Sequence, residues 1–393
     1  MPAQSSPQSS ATYSQWVRRM LSRMPPNREA LVSLFESSVP EPVDLLAQLV
    51  GSSFGDGPTP RYKSAFAGGN PYVKAQLAKN YGVEEAAIVT TTGATGALSL
   101  IYRALLQPGD RVLVENPGFD LFAVLAETNG FGVDRFERKG GGFVIDPAVL
   151  EAAITPDTRI VVVSNLHNPS GFPIHESILG DLADIADRRD VIVIVDEVYL
   201  PYAGGEAKSV VQLGLSPRMV CVNSLTKIYG LSTLRCGWIV GDPDLVRPIH
   251  ALARETEFSI SKLSHAIAAL VLENPGDFLA HTDKIIGAAR PVIESFHRGW
   301  LSGGLVHGAL PDHGCIAFPR LAGIDDTRDF SQWLADRGGV IVAPGEYFGA
   351  PGHVRIGFGM PPDRLKEGLR LLTEGMIDYR KLHGAAPAGR VAQ

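Results

Sequence analysis

Between residues 87 and 196, apolar runs of about five residues alternate with longer amphipathic stretches, and no other feature restricts the fold as tightly. The pattern predicts strands over 87–90, 111–115, 131–136, 159–164 and 191–196, with helices over 95–106, 119–128, 147–154 and 174–188 between them. Runs such as Val191-Ile192-Val193-Ile194-Val195 are apolar at every position, as strands covered on both faces must be. Right-handed crossovers then give an α/β fold, a doubly wound and mostly parallel sheet. Such sheets bind ligands at the carboxyl ends of their strands, so the strand-end residues carry the functional question.

Thr91-Thr92-Gly93-Ala94-Thr95-Gly96 follows the first strand and opens a helix. Unbonded N–H groups, the positive helix end and the Thr95 hydroxyl make an anion seat there. A plain helix cap with a tight turn accounts for the stretch equally well. It matches neither G-x-x-x-x-G-K-[ST] nor G-x-G-x-x-G, which disfavours nucleotide phosphates. After the second strand, Phe119 in Glu115-Asn116-Pro117-Gly118-Phe119 is a flat ring that either stacks on an aromatic ligand or packs in the core. In His167-Asn168-Pro169-Ser170-Gly171, Asn168 offers an amide to a phenolate-like oxygen or serves an Asn-Pro turn. Asp196 ends a buried strand, where a carboxylate is costly unless it meets a cation. A protonated pyridine nitrogen, a magnesium ion and a capped turn each suit it, and Tyr199 can reach the same ligand.

The segment Met219 to Trp238 adds a lysine, Lys227, between two apolar runs, with Ser224 three residues before it and Arg235 eight after. Lysine bonds carbonyl compounds covalently when its surroundings keep part of it neutral. By itself Lys227 also reads as a surface residue on a connecting loop. Taken together, the strand-end groups and Lys227 supply the contacts of one molecule, a phosphorylated pyridine aldehyde.

Elsewhere the pattern predicts a helix over 13–24, a short strand over 30–35, a loop over 51–70 and a helix over 72–80. After Gly241 come helices over 243–254, 259–273 and 277–301, the last expected to kink at Pro291. Strands over 315–319, 340–342 and 354–356 and helices over 327–337 and 362–379 complete a smaller α+β unit. The expected organisation is an N-terminal arm with part of the small domain (1–50), a large domain (51–285), and a C-terminal small domain with a disordered tail (286–393). A net charge of −6 without a basic block excludes nucleic-acid and anionic-membrane binding as leading functions. No apolar run nears the roughly 18 residues of a membrane span. Cys221, Cys236 and Cys315 have no disulfide or zinc spacing and suit a reducing compartment, so a cytoplasmic protein without a metal site is expected.

The ordered set T-G-A-T-G-A-L, E-N-P-G-F, H-N-P-S-G, D-E-V-Y, S-L-T-K with an arginine eight on, and V-R-I-G-F resembles the fold-type I pyridoxal-phosphate enzymes of aminotransferase class I/II. The likeness runs from about Arg61 to about Leu372. It implies that Lys227 bonds the aldehyde of pyridoxal 5'-phosphate and later acts as general base. It further implies that Gly93, Ala94, Thr95, Ser224 and Arg235 hold the phosphate, Phe119 stacks on the ring, Asp196 pairs with its nitrogen, and Asn168 and Tyr199 bond its phenolic oxygen. Asn168 and Arg355 would bind substrate, Arg355 clamping the α-carboxylate. Tyr62 resembles a tyrosine lent across a homodimer interface to the neighbour's phosphate. Two departures stand out. Phe35-Glu36-Ser37-Ser38-Val39 lacks a glycine usual there, and Glu255 sits four residues before Ser259 where dicarboxylate specialists carry arginine. The implied reaction moves an amino group between an L-amino acid and a 2-oxo acid. A lyase, a decarboxylase or a cyclising synthase would use the same cofactor contacts. A non-catalytic regulatory domain would be expected to follow a DNA-binding module, for which the N-terminal segment leaves no room.

Overall fold

A computed structural model describes residues 12–23, 31–64, 68–205, 207–256, 260–337 and 339–383. Its centre is a seven-stranded sheet: β1 Ile88–Thr91, β2 Arg111–Asn116, β3 Gly132–Glu137, β4 Thr158–Ser164, β5 Ile192–Asp196, β6 Met219–Ser224 and β7 Gly237–Val240. The spatial order is β1-β7-β6-β5-β4-β2-β3. Every pairing is parallel except those of β7, which runs antiparallel to both β1 and β6. The carboxyl ends of β1 to β6 therefore share one edge, and β7 starts there.

Period-two geometry explains the unbroken apolar runs. Val161, Val163, Val193 and Val195 face one buried layer with the helices Glu176–Arg189 and Lys262–Glu273. Ile160, Val162 and Ile194 face the other, with Gly93–Leu105 and Pro243–Thr256. Each such side chain taken fully from water stabilises the fold by about 1.5–3 kcal/mol, which is why central strands admit no polar face. The helix Pro71–Tyr81 shows how local chemistry sets the boundaries: Asn70 accepts from the Tyr72 and Val73 amides, and Gly82 ends the helix at φ 69°.

A third apolar cluster joins Val32 and Leu34 to Ala289, Ile293, Phe330, Ile356 and Leu369. The two-residue strand Val32–Ser33 pairs in parallel with Val340–Ile341, so the N-terminal segment completes the smaller body. The helix Gly276–Ser302 links the two bodies and runs on through Pro291. Most expected elements lie within a few residues of their predicted bounds. The loop expected over 51–70 is a correction, because the helix Val43–Phe54 runs into it. Leu45, Leu46, Leu49, Val50 and Phe54 pack on the large body's core, and that burial overrides the Gly51-Ser52-Ser53 loop signal. The helix expected from 119 begins later, at Leu121–Thr128. Ser259, Met24, the residues before Thr12 and the tail after His383 lie outside the described residues.

Candidate active site

Strand register builds the site. Ser164 lies opposite Asp196 and Asp196 opposite Val222, which lines up the ends of β4, β5 and β6. Ser224 lies opposite Gly237, and Gly237 opposite Thr91, so Arg235 enters beside the helix that follows β1. That helix, Gly93–Leu105, has no side-chain cap at Thr92, and the Thr92 Oγ1 is buried without a partner. A Cβ on Gly93 would lie 2.7 Å from the Arg235 Nη2, so only glycine lets the guanidinium close over the helix start. Arg235 itself is held at φ 46°, in the left-handed region. Among the described residues no ion pair engages Arg235. Free helix N–H groups (Ala94 and Thr95 lie in the first turn), an orphan hydroxyl and an unpaired guanidinium form a seat for a dianion. Ser224 is buried beside it, its Oγ accepting from the Thr226 amide at 3.3 Å.

Asp196 is buried, and burial raises its pKa to about 6, opposed by the Val198 amide and by Lys227. No ion pair engages it among the described residues. A cationic ring nitrogen placed there would reverse the shift. Lys227 is half-buried, and its pKa is lowered to about 8 by desolvation first and by the Arg355 charge second. Its Nζ donates to the Ser37 Oγ at 2.9 Å and lies 5.2 Å from the centre of the Tyr199 ring. The Tyr199 hydroxyl donates to the Ser37 carbonyl at 2.9 Å, and burial keeps that phenol protonated. Tyr202 donates to the Lys227 carbonyl at 2.8 Å, fixing the backbone that carries the amine.

Arg355, on the strand Val354–Gly357, is 1% exposed. Its Nη1 donates to the Asn168 Oδ1 at 2.9 Å, and its Nη2 donates to the Tyr13 hydroxyl at 2.6 Å and the Phe35 carbonyl at 3.1 Å. The Nε has no partner, and no carboxylate pairs with this guanidinium among the described residues. A buried, unneutralised arginine is a strong carboxylate site. The Asn168 oxygen faces Arg355, and its amide nitrogen has no hydrogen-bond partner among the described residues. The Asn168 backbone amide is held by Ser164, whose amide and hydroxyl donate to Glu115. Glu115 in turn meets Arg138 at 2.7 Å, and both are buried. Burial raises the Glu115 pKa to about 7 against the pull of Arg138.

The predicted residues Lys227, Asp196, Asn168, Tyr199, Ser224, Arg235, Gly93, Ala94, Thr95 and Arg355 thus sit at one edge of the sheet or face it from the smaller body. Phe119 follows β2 and packs edge-on against Phe122 and Tyr13. Among the described residues Tyr62 makes no contact with this group. It packs on Phe54, and the Lys262 Nζ lies 4.1 Å from its ring centre. Sequence reasoning missed Ser37, Tyr13 and Glu115. The glycine missing from Phe35-Glu36-Ser37-Ser38-Val39 was the available signal for Ser37, and nothing local gave Tyr13 a role in the site.

Comparison with known proteins gives a coherent result. A family model described as aminotransferase class I and II matches residues 64–372. Capreomycidine synthase of Streptomyces vinaceus is 30% identical over 288 residues, covering 73% of this chain and 74% of that protein. A probable N-succinyldiaminopimelate aminotransferase of Mycobacterium tuberculosis is 27% identical over 330 residues, covering 77% and 81%. Among solved structures, a pyridoxal-phosphate-dependent aminotransferase from Streptococcus suis aligns with a TM-score of 0.82 at 24% identity, covering 93% of this chain and 97% of that one.

Proposed function

The chain belongs to the aminotransferase class I and II family and is a pyridoxal-phosphate-dependent transaminase, and from that premise we propose which of its residues do the work. The observation that supports the assignment best is the pairing of a lysine with a pKa of about 8, near enough to Asp196 to feel its charge, with a buried arginine that meets no carboxylate among the described residues. Gly93, Ala94, Thr95, Ser224 and Arg235 hold the cofactor phosphate at the uncapped helix start. Phe119 covers the ring, Asp196 holds a proton on the ring nitrogen, and the Asn168 amide and the Tyr199 hydroxyl bond the phenolic oxygen. Once bound, pyridoxal phosphate supplies an aldehyde and an electron-withdrawing ring.

The protein supplies orientation and proton handling. Arg355 takes the α-carboxylate of the amino acid or 2-oxo acid, which sets the α-carbon against Lys227. Asn168 fixes the Arg355 fork, and the Glu115–Ser164 pair fixes Asn168. Lys227, neutral in an appreciable fraction near neutral pH because of its lowered pKa, removes the α-proton and returns a proton at the other end of the transfer. Desolvation and the Arg355 charge perform the tuning that the chemistry needs.

Dimerisation follows from family membership as a proposal, with Tyr62 reaching the neighbour's phosphate seat. The apolar clusters support a large body over 51–285 and a small one over 286–393 completed by residues before 50, with Val43–Phe54 on the large-body side. Three buried free cysteines suit a reducing, cytoplasmic setting, and among the described residues no helix is long and apolar enough to cross a membrane. The similarity to capreomycidine synthase favours a synthase reaction as the second reading. A screen of amino donors against several 2-oxo acids, with Lys227→Ala as control, separates the two. Transamination yields more than one equivalent of 2-oxo acid per site only when an acceptor is present, whereas sustained acceptor-independent turnover supports the second reading.

A further inference from the structure

The cleft is closed on one side by a segment that the family match does not include. The helix Tyr13–Arg23 lies outside residues 64–372, yet its first side chain reaches the Arg355 guanidinium. The Tyr13 hydroxyl accepts from the Arg355 Nη2 at 2.6 Å, and its own proton is directed at the Phe35 carbonyl at 3.4 Å. That second bond is at the long limit, and the same carbonyl already accepts from Nη2 at 3.1 Å. The phenol proton is therefore weakly engaged, next to a cation with no counter-ion among the described residues.

Two further contacts fix the ring. The Tyr13 amide donates to the Asp120 Oδ2 at 2.8 Å, tying the helix start to the large body, while the Asp120 Oδ1 is buried without a partner. The ring stacks on Trp16, lies tilted against Phe348 at 5.3 Å, and has the Arg355 Cζ at 5.1 Å from its centre. Tyr13 is thus held from the large body at its backbone and from the small body at its side chain. Burial raises its pKa against the pull of Arg355 and Lys227, so the hydroxyl stays a donor.

We propose that Tyr13 is a substrate-positioning residue: its hydroxyl turns from the Phe35 carbonyl to donate to the α-carboxylate held by Arg355, while its ring shuts that ion pair off from water. The N-terminal helix then makes the site selective for amines that carry an adjacent carboxylate. This rests on the reading of Arg355 as the carboxylate clamp. A phenol donor to a buried carboxylate is expected to contribute about tenfold in affinity.

The test uses the cofactor-loaded enzyme and follows its absorption spectrum during titration with 2-aminoisobutyrate, which has no α-proton, and with isopropylamine, the same amine without the carboxylate. Tyr13→Phe keeps the ring and removes only the hydroxyl. It should weaken 2-aminoisobutyrate about tenfold and leave isopropylamine unchanged. Equal weakening of both ligands, no change, or tighter 2-aminoisobutyrate binding would overturn the proposal. The last result would mean that the phenol merely occupies the carboxylate's place. Arg355→Lys serves as the second arm. If that variant also keeps the wild-type preference for 2-aminoisobutyrate over isopropylamine, the carboxylate-clamp reading itself has failed, which is distinct from failure at Tyr13.

Discussion

The site as proposed has a cofactor half and a substrate half that differ in how they are built. The cofactor half is a row of strand ends and one helix start, all within the large sheet, where register alone brings Thr91, Ser164, Asp196 and Ser224 to a common edge. The substrate half is assembled from Tyr13, Ser37 and Arg355, whose contacts span 342 positions for Tyr13 with Arg355 and 190 for Ser37 with Lys227. The first half is fixed by backbone geometry, and the second by side chains brought together when the smaller body closes on the larger. Chemistry shared across the family can reside in the rigid half while specificity varies in the other.

Substitutions can break or sharpen that contrast, and the largest effect is expected in the cofactor half. If Asp196 pairs with the cofactor's ring nitrogen as proposed, Asp196→Ala leaves that buried cation without its counter-ion, a loss of about 3–5 kcal/mol. Turnover should fall by two to three orders of magnitude in a steady-state assay, and the cofactor should be retained less tightly on dialysis. Arg355→Gln should cost about 2–5 kcal/mol in kcat/KM for the amino donor while leaving cofactor content near that of the parent. If instead the cofactor is lost along with donor affinity, the two halves are not separable.

The pH dependence of cofactor uptake probes the seam between the halves. The Lys227 pKa is lowered to about 8, so its amine is mostly protonated below that pH and neutral above it. Cofactor uptake by the apoenzyme should therefore quicken about tenfold per pH unit on the acid side and level off above about 8. A profile that keeps rising toward pH 10 would mean that burial and Arg355 do not tune the amine. The smallest effect is expected at Ser37. Ser37→Gly deletes an acceptor of the Lys227 ammonium, so the midpoint of that profile should move to lower pH by less than about one unit. Donor preference should shift more than turnover, because this loop lies on the substrate side.

The same contrast governs what could be read from the sequence. Asp196 ends an unbroken apolar run, where a charge signals a ligand by its cost, whereas Lys227 drew its reading from the strand-end groups that accompany it. Arg235 was found through its spacing from Lys227. Tyr13 opens a helix that the pattern foresees and Ser37 lies in a stretch that lacks a usual glycine, but nothing at either position points to a ligand, and only tertiary contacts give them roles. Val43–Phe54 was hidden for a related reason, since its Gly-Ser-Ser stretch continues a helix whose leucines are partly buried against the large body's core. Glu115 was visible as the end of a strand, but its buried link to Arg138 crosses to a segment of another character.

The assignment of one amine to the cofactor can be tested directly. The cofactor-loaded enzyme is reduced with borohydride, digested, and the labelled peptide sequenced by mass spectrometry. A pyridoxyl group on Lys227 is expected, with none on Lys262 or Lys74. A label on another lysine, or a fully active enzyme that carries no trappable bond, would contradict the site described here.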